Sequence, residues 1–198
     1  MTVRGSDRFE GAYDGTPPWD IGRPQQAFLD TAGTWSGHVL DSGCGTGELA
    51  MAAAARGLRA TGIDGAASAI AIARSRAAER GLEVEFVVGD VLRLGALGHA
   101  YDLIFDSGVF HTFEADERPL YVQSLTQVTN PGGRLLLLCF SDSQSGDWGP
   151  FRISRDELTS AFAGGWRIES IEPATFVLHS ESGSPPTARA WFAQMSRQ

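Results

Sequence analysis

The sequence predicts a doubly wound α/β domain: a mostly parallel sheet of seven strands, flanked by helices and closed by a C-terminal antiparallel hairpin. Three observations carry this. Short apolar runs alternate with alanine- and leucine-rich segments of helical spacing, the pattern of successive β-α units. A turn with glycine at every second position, Gly43, Gly45 and Gly47, joins the first such run to the first such segment. The run "RLLLLCF" (134 to 140) is apolar throughout, as in a parallel strand buried on both faces.

Taken in order, "HVLD" (38 to 41) reads as a buried strand and "GELAMAAAARG" (47 to 57) as a helix closed by Gly57. "RATGID" (59 to 64) is the second strand, followed by the helix "AASAIAIARSRAAERG" (66 to 81), which again ends on glycine. "EVEFVVGD" (83 to 90) and "YDLIFDSG" (101 to 108) are the third and fourth strands. "ERPLYVQSLTQVTN" (117 to 130) has helical spacing, and "NPGG" turns the chain into the fifth strand, 134 to 141. After a short helix (154 to 163), "WRIESIEPATFVLH" and "TARAWFAQMS" have only "SESGSPP" between them, so they pair as a hairpin. The first 23 residues, with frequent Gly and Pro and with Tyr13 and Trp19 embedded, precede the sheet as an arm or lid; residues 24–198 form the domain. Ligands of such sheets bind at the carboxyl ends of the strands.

Composition narrows the ligand. With 198 residues, 42% hydrophobic and 20% charged, the chain makes one soluble domain. No apolar run approaches the roughly 20 residues of a membrane span, and the polar start has no secretory h-region, so a cytoplasmic protein is expected. A net charge of −8 offers no footprint for a nucleic acid, which leaves a small molecule as the partner. All sixteen basic residues are arginine. Without lysine there is neither a Walker-type phosphate loop nor Schiff-base chemistry. Cys44 and Cys139 lack metal spacing and are expected to be reduced thiols; His38, His99 and His179 form no metal pattern, and no metal is expected. No pattern sets the number of subunits.

The glycine loop alone leaves two ligands open. "GTGELA" (45 to 50) fits the G-x-G-x-x-A form of a dinucleotide fingerprint, and Asp64 lies where its ribose acid would. Yet Gly43 lengthens the loop to D-x-G-x-G-x-G, and Asp41 at its start opposes a pyrophosphate while suiting a ligand that carries positive charge. S-adenosylmethionine, with an ammonium and a sulfonium, is such a ligand.

The motifs in order resemble those of class I S-adenosylmethionine-dependent methyltransferases, with their Rossmann-like sheet, over nearly the whole chain. The matching segments are "VLDSGCGTGELA", "TGIDGAASAIAIA", "VGDVLRL", "YDLIFDSGVFHTF" and "NPGGRLLLL". "PPWDIGRPQ" (17 to 25) and "GDWGPFRIS" (146 to 154) are similar to segments of the thiol, halide and thiopurine methyltransferase group, and of bacterial enzymes that methylate small heterocyclic or quinone-like compounds. The resemblance implies S-adenosyl-L-methionine as cofactor and S-adenosyl-L-homocysteine as product. It implies that Gly43, Cys44 and Gly45 meet the methionine part, with Asp41 supporting the loop and its charge. Asp64, with Gly65 after it, is expected at the ribose, and Asp90 with Val91 at the adenine. Asp106 and Ser107 are expected at the methionine amine and the transferred methyl, and Trp19 closes over the cofactor. The acceptor pocket is expected to be lined by Tyr13, Phe110, His111, Phe113, Trp148 and Phe151. His111 is then the candidate base for an attacking thiol, phenol or N-hydroxy group, with Asp106 beside it. Two other readings stand beside this one: an NAD-dependent reductase, which would lack any Tyr-x-x-x-Lys pair, and a protein that holds S-adenosylmethionine or a toxic compound without turnover.

Overall fold

The computed structural model describes residues 9–179 and 186–198. Seven strands form one sheet: β1 (His38–Ser42), β2 (Arg59–Asp64), β3 (Glu85–Val88), β4 (Tyr101–Ser107), β5 (Thr129–Phe140), β6 (Trp166–Val177) and β7 (Thr187–Arg197). Their spatial order is β3-β2-β1-β4-β5-β7-β6, parallel through β5 and antiparallel at β7 and β6. The helices are α1 (Gln26–Leu29), α2 (Glu48–Ala54), α3 (Ala67–Glu79), α4 (Arg118–Val128) and α5 (Arg155–Ala161). The order reverses between β1 and β4, where a doubly wound sheet opens its ligand crevice.

Side-chain alternation along the strands divides the core into two layers. Val39, Phe105, Leu136, Leu138 and Phe140 face one layer with Phe28 of α1, Met51 of α2 and Ile70 of α3. Leu40, Ile104, Leu135 and Leu137 face the other, with Tyr121 and Leu125 of α4 and Leu158 of α5. β5 is therefore buried on both faces, as its unbroken apolar run requires.

The sequence reading and the structure part at a few elements. The third strand is only four residues long, because Glu83 and Val84 do not reach β2 and Asp90 begins a 3₁₀ turn (Val91–Leu97). β5 starts at Thr129 rather than after the "NPGG" turn: Thr129 pairs with Tyr101, residues 130–133 bulge out, and pairing resumes at Arg134 with Leu103. Ser154 caps α5 in a capping box with Glu157. The antiparallel pair is present, and β7 also joins β5; the connecting segment 180–185 and residues 1–8 of the arm lie outside the described residues.

The arm is tied down at both ends of its described part. Glu10 accepts from the Ser68 N–H at the start of α3 (3.2 Å). Downstream, the Gln25 amide pairs with both backbone groups of Val177 at 2.8 Å, and the His179 N–H donates to the Pro18 carbonyl at 2.7 Å. Residues 17–25 thus run alongside the end of β6.

Candidate active site

The turn from β1 to α2 is built by close approach. Gly43, Gly45 and Gly47 all have positive φ, at 66°, 52° and 84°. A Cβ on Gly43 would lie 2.3 Å from Val109, and one on Gly45 would lie 3.0 Å from the Tyr13 hydroxyl. The loop is pressed between the turn after β4 and the arm, so glycine is needed for both conformation and space. Tyr13 accepts a hydrogen bond from the Trp19 indole (3.1 Å), and Phe9 packs edge-on to Trp19 at 5.9 Å. Burial, then the charge of Asp64, pushes the Tyr13 phenol up. Arg76 of α3 latches this arm: it donates to Asp20 (3.0 Å), to Thr46 of the glycine loop (2.7 Å) and to Glu48 (3.2 Å).

Acids ring the loop. Asp41 is buried and accepts from the Ala50 N–H in the first turn of α2 (3.0 Å). Asp64 accepts from Gly45 (2.8 Å) and Ala66 (2.9 Å), and Asp90 from Leu92 (2.9 Å). Burial raises Asp41 to about 7, against the help of its Ala50 bond, and raises Asp64 as well. Among the described residues, no ion pair joins a cation to either carboxylate. Burial thus favours the protonated form of both acids, and a cation bound beside them would favour the charged form.

Above these acids opens a cavity of about 770 Å³. Of the expected cofactor residues, it brings together Trp19, Asp41, Gly43, Cys44, Gly45, Asp64, Gly65, Asp90, Val91 and Ser107. Of the expected acceptor residues, Tyr13, His111, Phe113 and Trp148 line it. Sequence reasoning missed Arg23, Phe140, Phe176 and Leu178, which also form its wall. Phe140 packs edge-on against Trp148 (5.6 Å) and Phe176 (5.4 Å), making a continuous aromatic surface. Arg152 fixes the loop that bears Trp148, donating to the carbonyls of Gln144, Gly146, Trp148 and Pro150. The side chain bridges 144–150 much as a short strand would.

Three expected residues lie elsewhere. Asp41 is paired in register with Phe105, so Asp106 projects from the opposite face of the sheet. There it is fully buried and does not line the cavity; it accepts from Val109 (2.8 Å) and Phe110 (3.1 Å) and bonds Tyr121 of α4. Burial raises it, too, to about 7. Phe110 follows it into that layer and packs on Phe162 at 5.7 Å. Phe151 is turned outward, 38% exposed, near the Arg118 guanidinium.

His111 reaches the cavity with neither nitrogen available as a base. Its Nδ1 accepts from the Phe140 N–H at 2.8 Å, which places the proton on Nε2, and that nitrogen bonds the backbone of Gly108. Burial, then the charge of Arg152, lowers it to about 3, so it is neutral across the physiological range. The ring ties the turn after β4 to the end of β5.

Comparison with known proteins matches this geometry. Residues 39–133 match the family model described as "Methyltransferase domain". The chain is 35% identical over 187 residues to the 2-heptyl-1-hydroxyquinolin-4(1H)-one methyltransferase of Mycobacteroides abscessus, covering 88% of this chain and 82% of that one. This chain is an S-adenosylmethionine-dependent methyltransferase. The methyltransferase is also 30% identical to the probable thiol methyltransferase 2 of Arabidopsis thaliana, over 79% of this chain and 72% of the plant one. It superposes with a TM-score of 0.88, at 35% identity and covering 98% of this chain and 93% of the other, on a solved structure described as "Conversion of a Disulfide Bond into a Thioacetal Group during Echinomycin Biosynthesis". The dinucleotide reading of the glycine loop is thereby set aside. The methyltransferase's own residues fit the cofactor: Asp41 and Asp64 have no counter-ion among the described residues, and a ligand bearing an ammonium and a sulfonium would supply one and draw them to their charged forms.

Proposed function

We propose that this methyltransferase transfers the methyl group to a sulfur, oxygen or nitrogen of a small, flat, largely apolar molecule whose acceptor atom is already ionised or easily ionised. The observation that supports this reading is the continuity of the cavity, acids and glycine backbone at one end and an aromatic wall at the other. S-adenosylmethionine, when bound, supplies a methyl on a positively charged sulfur, which is itself a good leaving group.

The chain's residues then have three tasks. At the glycine end, the backbone of Gly43, Cys44 and Gly45 receives the methionine part, with Ser107 beside it; Asp41 carries the balancing charge. Asp64 and Gly65 take the ribose, and Asp90 and Val91 the adenine. Phe113, His111, Phe140, Trp148 and Phe176 orient a flat acceptor and keep water out, a class of effect worth up to about 7 to 11 kcal/mol when alignment is good. The described part of the arm is the lid: Tyr13 and, through it, Trp19 stand over the glycine loop, and Arg76 holds Asp20 there. Among the described residues that line the cavity, none is set up to remove a proton. Both His111 nitrogens are engaged, and Glu117, which also lines the cavity, is a carboxylate holding the Glu114 N–H. Carboxylates are weak bases, so acidic acceptors are favoured.

The charge of −8 supports a small acceptor over a nucleic acid. No helix of the described residues is long and apolar enough to cross a membrane, and Cys44 and Cys139 are free thiols, in keeping with work in a reducing cytoplasm.

Calorimetric titration with S-adenosylhomocysteine and NAD, followed by transfer from methyl-labelled cofactor to thiophenols, hydroxyquinolones, phenols and iodide, tests the reading. Labelled product from acidic acceptors is expected; binding of S-adenosylhomocysteine without transfer to any of them would instead indicate a holding protein. Asp64→Ala is expected to weaken S-adenosylhomocysteine by about 1 to 3 kcal/mol, and unchanged affinity would remove Asp64 from the ribose.

A further inference from the structure

An acceptor that arrives as an anion has to enter a cavity ringed by carboxylates, and only one described cationic side chain lines that cavity. It is Arg23. The other arginines near the site are committed: Arg76 to Asp20, Glu48 and Thr46, Arg152 to four backbone carbonyls, Arg118 to Glu157 and the Phe113 carbonyl. Arg23 makes one long hydrogen bond to the Pro24 carbonyl (3.3 Å) and no ion pair among the described residues, and its side chain is exposed. Asp20, three residues away, is neutralised by Arg76.

Its place along the cavity is set by its neighbours. Asp20 is held at the glycine-loop end, whereas Gln25 is clamped to Val177, between the wall residues Phe176 and Leu178. Arg23 lies between these two anchors, two residues from the Gln25 clamp, and lines the same cavity as the aromatic wall. We propose that Arg23 is the specificity-determining residue for the acceptor, attracting and orienting its negative charge against the aromatic wall. This deepens the reading above and rests on it. A guanidinium suits the role because it stays charged at any working pH and stacks on flat rings as well as donating hydrogen bonds.

The test uses 4-nitrothiophenol, which is the coloured thiolate at neutral pH, with the full-length enzyme and its Arg23→Gln and Arg23→Lys variants. Thiolate binding to the S-adenosylhomocysteine complex is read by its visible absorption, and KM and kcat by labelled methyl transfer. Arg23→Gln is expected to weaken thiolate binding and raise KM about tenfold with a smaller change in kcat. The wild-type KM is expected to rise with salt, and Arg23→Gln to abolish that rise. Arg23→Lys is expected to keep most of the binding, and all three proteins to bind S-adenosylhomocysteine alike. Equal thiolate affinity in wild type and Arg23→Gln, or no thiolate binding to the wild-type complex, overturns the assignment. Failure of the underlying reading shows separately, as no methyl transfer by the wild type to any acceptor of the panel.

Discussion

His111 shows how one side chain can sit where chemistry is expected and do something else. Donating from one nitrogen and accepting at the other, it fixes the turn after β4, and its burial would make a charged form costly. His111→Gln, which can still accept from Phe140, is expected to leave the pH dependence of kcat/KM unchanged between about pH 5 and 9 with an acceptor that is ionised throughout. His111→Ala strands the Phe140 N–H and is expected to cost about 1 to 3 kcal/mol of stability in urea unfolding. A limb near neutrality that disappears with His111→Gln would restore the base. The acids at the ends of β1, β2 and β3 could be placed from sequence because strand ends in a doubly wound sheet converge on one crevice. Asp106 could not, since a strand end fixes position but not face, and the face depends on a register with β1 that only the folded sheet supplies. Phe110 and Phe151 failed for a related reason: turns have no periodicity from which direction can be read.

At the scale of elements, the arm depends on partners far away in sequence. Gln25 finds Val177 across 152 positions, and Asp20 finds Arg76 across 56. No local pattern announces such pairings, which is why the arm's aromatic residues were legible while its fastenings were not. Arg76 joins the arm to Thr46 of the glycine loop and Glu48 of α2, so the three should move together. Arg76→Met leaves Asp20 and Glu48, both largely buried, without this partner. It is expected to weaken S-adenosylhomocysteine binding by about 1 to 3 kcal/mol and to open the stretch around residues 14–23 to protease. An unaltered digestion pattern with unaltered affinity would show that the arm is held by its aromatic contacts alone.

For the whole molecule, two buried carboxyls raised to about 7, Asp41 and Asp106, tie stability to pH. Unfolded, each would titrate near 4, so between about pH 4 and 7 the folded chain keeps protons that the unfolded chain releases. Their contribution is complete below about pH 4 and is lost as pH rises through 7, by up to about 1.4 kcal/mol per pH unit for each group. Urea unfolding of the cofactor-free protein from pH 5 to 8 is expected to show this decline, with Asp106→Asn removing part of the slope; stability flat over that range would refute it. The sheet order carries a consequence for biosynthesis. β7 lies between β5 and β6, so β6 has no place in the sheet until the ribosome has made the strand after it. The arm's Arg76 latch is available once α3 has been made, but the Gln25 anchor beside it must wait for the end of β6. A nascent chain stalled after β5 would carry the glycine loop, the acids and the latched arm, but not the Trp148, Phe176 and Leu178 wall, so the cell's cofactor pool would meet a cavity open on one side until translation had passed β7.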